Sequence, residues 1–424
     1  MDYSIKYLKY KKKYLKLKNK LSGGLLVSSE DLTFKCRNSR NNSIYLPEKC
    51  TKEFPCYSYD GKCYALQPDS FKREITNEDF LKKLYPEKFD NIPVFIFFES
   101  FSKIGNEENP FSKNSYLLGD KLGKGVFGKV YSLFNIDLDL KNIALKLYTI
   151  PVPINLIFSK FKVQRDLCLK SDIINKIYDY GVYNLMFRGN PVPFSKSEFN
   201  NEKSNDFKHV YLAMEQCKGG ELFDRLQLIS DYYKKNKIDG TYYFNKISIY
   251  KKLLTNILTG VKVIHDNGYV HLDLKLENIG MVEPFEISEE LLINLDPNIE
   301  EEINSKIKIL DFDFLSKINS KTNIPLGSTV YMAPEFYYNK NELYNLGIKD
   351  DMYSIGIIMY ASLFQELPFK YSEKRVENKN FTRNMNQLQE KYPDLLTIIR
   401  SLLSEKEEDR PNCDTVLNSS FFTS

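Results

Sequence analysis

His271-Leu272-Asp273-Leu274-Lys275-Leu276-Glu277-Asn278 places a carboxylate, an ammonium and an amide in one short segment, separated by leucines. Those three groups suit phosphoryl transfer. A carboxylate orients an acceptor hydroxyl and takes its proton, a cation stands near the γ-phosphate, and an amide oxygen holds a metal ion. Asp273, Lys275 and Asn278 supply them in that order. The segment follows Ile264-His265-Asp266-Asn267-Gly268-Tyr269-Val270.

Further upstream, Leu122-Gly123-Lys124-Gly125-Val126-Phe127-Gly128-Lys129-Val130 spaces glycines so that backbone can approach a triphosphate without interference from Cβ, with Val130 over the base. The same residues read Gly-x-x-x-x-Gly-Lys from Gly123 to Lys129. A P-loop needs Ser or Thr next to hold magnesium, and Val130 stands there instead. One strand later, Ile143-Ala144-Leu145-Lys146 carries a lysine expected to face inward. An unpaired buried ammonium is costly, and the α- and β-phosphates of a nucleotide would partner it.

In this order the segments resemble the eukaryotic-type serine/threonine protein kinase superfamily, whose catalytic loop reads H-R-D-L-K-x-x-N. The resemblance covers about residues 116 to 422. It implies an α+β, bilobal protein-kinase fold, with a small β-rich N-lobe, a large helical C-lobe and an N-terminal extension. It also implies ATP and Mg2+ as cofactors and protein substrates with Ser/Thr acceptors, Lys275 being the serine/threonine form. Asp273, Lys275 and Lys146 would be catalytic. Leu122, Gly123, Lys124, Gly125, Val126, Phe127, Gly128, Lys129, Val130, Ala144 and Lys146 would surround ATP. Met214 would be the gatekeeper, and backbone groups of Glu215 and Cys217 would bond adenine. Ile309-Leu310-Asp311-Phe312-Asp313 resembles the D-F-G strand end, so Asp311 and Asn278 would hold the metal. Gly327 to Glu335 resembles the substrate-facing loop with its A-P-E end. Asp351-Met352-Tyr353-Ser354-Ile355-Gly356 resembles the buried D-x-W-S-x-G helix, and Arg410 matches the arginine that pairs with Glu335.

The departures are specific. Leu272 replaces the catalytic-loop arginine, which removes the cation that reads a phosphorylated activation loop. Asp313 replaces the D-F-G glycine and adds charge near the metal. The helical glutamate expected to pair with Lys146 aligns with Gln164, with Asp166 as a substitute. Tyr353 stands for Trp in a chain without Trp. Two readings stay open. An active kinase keeps Asp311, Asn278, Asp273 and Lys146, as this chain does; a catalytically weak pseudokinase, acting as a nucleotide-binding scaffold, would account for Gln164 and Asp313. A lipid or small-molecule kinase is disfavoured, because the Gly327 loop and the Asp351 helix belong to protein-substrate kinases.

The remainder is less informative. With 60 Lys+Arg against 56 Asp+Glu, the net charge of +4 gives no reason to expect nucleic acid. No apolar run is long enough to span a bilayer and no secretory leader is visible, so a cytoplasmic protein without a transmembrane segment is expected. Three units are expected: a basic amphipathic helix over 1–24, an accessory region over 25–115 and the kinase domain over 116–422. In the first, Tyr3, Tyr7, Tyr10, Tyr14, Leu17 and Leu21 form one stripe among eight lysines, and Gly23-Gly24 ends it. It could pack on its own protein, form a short coiled coil, or touch an acidic partner or membrane surface. It resembles N-terminal segments on proteins of large cytoplasmic DNA viruses, and the A+T-rich composition agrees; host cytoplasm or virion would follow. Cys36, Cys50, Cys56 and Cys63 cluster without a Cys-x-x-Cys pair and are expected as free thiols rather than zinc ligands. Polar stretches at Met186 to Phe207, Leu228 to Phe244 and Val282 to Ser305 read as surface insertions.

Overall fold

The computed structural model describes residues 116–125, 127–135, 143–148, 152–187, 190–191, 207–208, 210–238, 241–284, 306–338, 343–370 and 375–424, with the strands Cys36–Arg37, Ile44–Tyr45, Cys56–Tyr59, Lys62–Ala65 and Phe95–Ser100. The chain divides into two compact units, Met1–Phe95 with Phe187–Gly189, and Ile96–Met186 with Asn190–Ser424. In the first, Cys36–Arg37 pairs with Ile44–Tyr45, and Cys56–Tyr59 pairs with Lys62–Ala65 so that Tyr59 faces Lys62. The expected helix over 1–24, with the location and contacts inferred from it, and Cys50 of the cysteine cluster lie outside the described residues.

The second unit begins with an antiparallel sheet. Five of its seven strands are β1 (Tyr116–Lys124), β2 (Gly128–Asn135), β3 (Ile143–Tyr148), β4 (Ile177–Phe187) and β5 (Val210–Glu215), in the order β4-β5-β3-β2-β1. All six residues of β3 are buried, so this strand is covered on both faces. Helix α1 (Ile154–Cys168) packs near it through Ile157, Phe161, Gln164 and Leu167, spaced four or three apart along one stripe. The Phe161 ring lies 6.0 Å from Tyr148 and 5.4 Å from Tyr180. Each such buried apolar side chain contributes about 1.5–3 kcal/mol.

The helical part holds α2 (Leu222–Asn236), α3 (Ile247–Asp266), α4 (Ile348–Phe364), α5 (Phe381–Lys391) and α6 (Pro393–Leu402). A separate small sheet pairs β6 (Ile279–Met281) with β7 (Ile307–Ile309). Every residue of α4 from Asp350 to Leu363 is buried, as befits a helix apolar nearly all round at the centre of a large core. Among the described residues no helix is long and apolar enough to cross a membrane.

One expectation fails here. Leu228 to Phe244 is not a surface insertion: Ile229, Ser230 and Tyr233 are buried on α2, and Tyr243 and Phe244 are buried beyond it. Leu222, Leu226, Ile229 and Tyr233 form a four-three-four stripe, and Lys234 and Lys235 are exposed on the same helix. The other two expected insertions lie largely outside the described residues.

Arg410 pins the end of the Gly327 to Glu335 loop. Its guanidinium donates to both Glu335 oxygens at 2.6 and 2.7 Å and lies 5.0 Å over the Tyr353 ring. Arg410→Met leaves Glu335 without its counter-charge and is expected to cost about 3–5 kcal/mol. Urea unfolding of the two chains side by side measures this.

Candidate active site

The catalytic loop is built around Asp351 on α4. Its Oδ2 accepts from the His271 N–H at 2.8 Å and stands 2.9 Å from His265 Nε2; its Oδ1 accepts from the Leu272 N–H at 2.8 Å. Burial pushes this carboxyl up, but the His265 and backbone bonds outweigh it and hold it below the usual carboxylate range. The loop can then bend sharply: Leu272 has φ 66°. Gly327 closes on that bend with φ 95°, and a Cβ there would stand 2.0 Å from the Leu272 oxygen. His271 accepts from the Asp273 N–H through Nδ1 at 3.2 Å, which leaves Nε2–H to donate to the Leu310 carbonyl at 3.0 Å.

Asp273 is 5% exposed. Its Oδ2 accepts from Lys275 Nζ at 2.7 Å and from Asn278 Nδ2 at 2.9 Å. Its Oδ1 is buried and has no partner among the described residues. Asn278 Nδ2 also donates to the Asp273 carbonyl at 2.7 Å. With the amide N–H groups thus engaged, the side-chain oxygen of Asn278 is the group left to meet a cation. Lys275 Nζ also donates to Ser328 Oγ at 2.7 Å.

At the end of β7, Asp311 takes a left-handed conformation (φ 61°) that turns its carboxylate toward Lys146. Lys146 Nζ lies 2.7 Å from Asp311 Oδ1 and 2.7 Å from Asp313 Oδ2. Burial opposes the Lys146 charge, but the two carboxylates prevail and raise its pKa above the ordinary lysine value. Burial raises the Asp313 carboxyl, whereas the Asp311 carboxyl, also opposed by burial, is held down by Lys146. The expected helical partner is absent from this group. Gln164 is buried and donates to the Asn175 carbonyl at 3.1 Å, and Asp166 is exposed. Gln164 sits on the core-facing stripe of α1, so its side chain is directed into the packing, where the Asn175 carbonyl takes it up.

Along the sheet, β2 places Val130 opposite Lys146, and β5 places Met214 opposite Ala144. Gly123 faces Val130 and Lys124 faces Lys129 across the β1–β2 turn, which the Gly125 N–H closes on the Gly128 carbonyl at 2.9 Å. Gly128 is required by packing, because a Cβ there would stand 2.2 Å from the Leu147 oxygen. Leu122 is exposed, Phe127 rests its ring 5.7 Å from Phe314, and Val126 lies outside the described residues. The Glu215 N–H donates to the Lys176 carbonyl at 2.9 Å, so of that residue's backbone groups the carbonyl is the one a base could use. The Glu215 side chain turns to Lys308 at 2.9 Å. Burial pushes the Cys217 thiol up to about 12.

Residues 197–422 match the family described as "Protein kinase domain", a span of more than half the chain. The chain belongs to the protein kinase family. It is 27% identical over 296 residues to "Probable serine/threonine-protein kinase 2" of Plasmodium falciparum, covering 69% of this chain and 45% of that protein. It is 26% identical over 335 residues to "Hormonally up-regulated neu tumor-associated kinase homolog A" of Xenopus laevis, covering 77% and 40%. With "Probable serine/threonine-protein kinase PLK" of Dictyostelium discoideum it shares 26% over 317 residues, covering 73% and 26%. The chain spans less than half the length of each of these relatives.

The activation segment of this kinase runs from Asp311 to Glu335, and its first half is held by main-chain bonds. Ser316–Lys317 pairs with Tyr269–Val270, and Lys321–Thr322 pairs with Tyr344–Asn345. Between them, the Asn319 N–H donates to Leu346 O and the Leu346 N–H to Ser320 O, both at 2.8 Å. Main-chain bonds need no modified side chain, which agrees with a buried leucine at 272. Gly327→Ala tests how tightly segment and catalytic loop are joined: the positive φ alone costs about 1–2 kcal/mol, and the overlap with Leu272 adds to it. A thermal melt is expected to shift down by several degrees.

Proposed function

We propose that the chain is an active serine/threonine kinase that moves the γ-phosphate of ATP to Ser/Thr hydroxyls of proteins. The observation that carries this reading is Asp273. One of its oxygens is fixed by Lys275 and Asn278, while the other is buried and unpartnered, a costly arrangement unless a donor arrives. A substrate hydroxyl is such a donor. Asp273 Oδ1 accepts its proton as the hydroxyl oxygen bonds to phosphorus and the bond to the β-phosphate oxygen breaks, releasing ADP. Lys275, beside both Asp273 and Ser328, stands where the transferred charge would pass.

The Asp311 carboxylate and the Asn278 oxygen fit a magnesium ion, which commonly takes one or two protein oxygens and completes its shell with phosphate and water. When bound, the ion would neutralise phosphate charge. Leu122 to Val130, Ala144 and Met214 would enclose the nucleotide, with the Glu215 carbonyl and the Cys217 backbone at the adenine edge. Cytoplasmic action, in a host cell or virion, belongs to the same proposal and rests on composition and the first 24 residues alone.

Labelled γ-phosphate transfer from Mg-ATP to a generic protein substrate and to the chain itself tests the reading. Incorporation on Ser or Thr is expected, and Asp273→Asn should lower it by about 100- to 10,000-fold while ATP still binds. Nucleotide binding with no transfer by the parent chain overturns the enzyme and leaves a scaffold, the reading that Gln164 and Asp313 motivate. Phosphatase treatment before the assay is expected to leave the rate unchanged, because the activation segment is stitched by backbone; a loss of rate would show that a phosphate is required.

A further inference from the structure

We propose that Asp313 is the positioning residue for Lys146, in place of the helical glutamate, and that Lys160 ties α1 to it. The proposal rests on the kinase reading of the site. Lys146 is buried on the central strand and needs a carboxylate to hold its ammonium in one direction. Two are present at equal distance, but they differ in surroundings: the Asp311 side chain is 33% exposed and the Asp313 side chain 7%. Asp311 is the one placed to turn to a metal ion. Asp313 then remains as the lysine's fixed partner.

The Asp313 carboxylate has no freedom to do anything else. Its Oδ2 accepts from Lys146, and its Oδ1 accepts from the Tyr148 hydroxyl, two residues along the same strand. The Lys146 ammonium in turn lies 5.1 Å over the Tyr148 ring. With both oxygens engaged, the added acid neither repels phosphate as a free charge nor competes for the metal. Helix α1 reaches the same residue by another route. Lys160, one turn before Gln164, donates to the Asp313 carbonyl at 2.5 Å. The usual pattern of a helical acid paired with the strand lysine is thereby exchanged. The acid sits in the activation segment and the helix contributes a base, so the four charges Lys146, Lys160, Asp311 and Asp313 sum to zero. A glycine at 313 would leave Lys146 with the metal ligand as its sole carboxylate among these four groups.

Restoring the family's glycine is the sharpest test. Asp313→Gly and the isosteric Asp313→Asn are both expected to lower kcat by about 100-fold, the scale of a misplaced catalytic group. Asp313→Glu should recover part of that loss. Turnover unchanged or improved in Asp313→Gly overturns the proposal. Calorimetric binding of Mg-ATP reads the same coupling without transfer: Asp313→Asn is expected to weaken it about tenfold, and to add nothing in a Lys146→Met background. Equal weakening in both backgrounds marks a merely structural role and overturns the assignment. A parent chain that binds but does not transfer removes the kinase reading and leaves the binding cycle to decide this one.

Discussion

Asp351 stands in the most buried helix of the unit and binds the backbone of the catalytic loop with both oxygens. A carboxylate so placed is unstable unless its charge is fully met, and two N–H groups and an imidazole meet it. Once they do, the positive φ of Leu272 becomes the available path for the chain, and everything after it is positioned in sequence. Asp273 points at its two donors, Asn278 offers its oxygen, and Gly327 brings the activation segment against the bend. The core therefore acts on chemistry through one anchor. This explains why a leucine can occupy the arginine position without loosening the loop, since its backbone N–H does the holding.

Charge around Lys146 follows a second constraint, the need to keep a buried ammonium paired. Three residues of different elements meet it jointly: Asp311 at a strand end, Asp313 two residues on, and Tyr148 on the lysine's own strand. Helix α1 contributes through its shape, with Phe161 against Tyr148, and through Lys160. Because its link to the site is a bond to a backbone carbonyl, the helix supports the arrangement without supplying its negative charge.

Much of this was legible in the residues. The spacing of Asp273, Lys275 and Asn278 placed three chemical groups in one loop, and the Arg410–Glu335 pair stands where the resemblance put it. What escaped was directional. Sequence position put Gln164 where an acid was expected, but a side chain's facing depends on which stripe of the helix meets the core, and Gln164 is on that stripe. Asp313 read as an intrusion because its partners, Lys146 and Tyr148, lie 165 or more residues away. The polar run after Leu228 hides a buried stripe for a related reason: the charged residues share one helix with Ile229 and Tyr233, on its exposed side.

The hinge thiol carries a practical consequence. Cys217 packs so closely on Gly280 that a methyl group there would stand 2.6 Å from its sulfur, and burial pushes its pKa up to about 12. The reactive form of a cysteine is the thiolate, and at neutral pH this one is almost entirely protonated. Acrylamides and similar electrophiles would therefore find a poor nucleophile at Cys217.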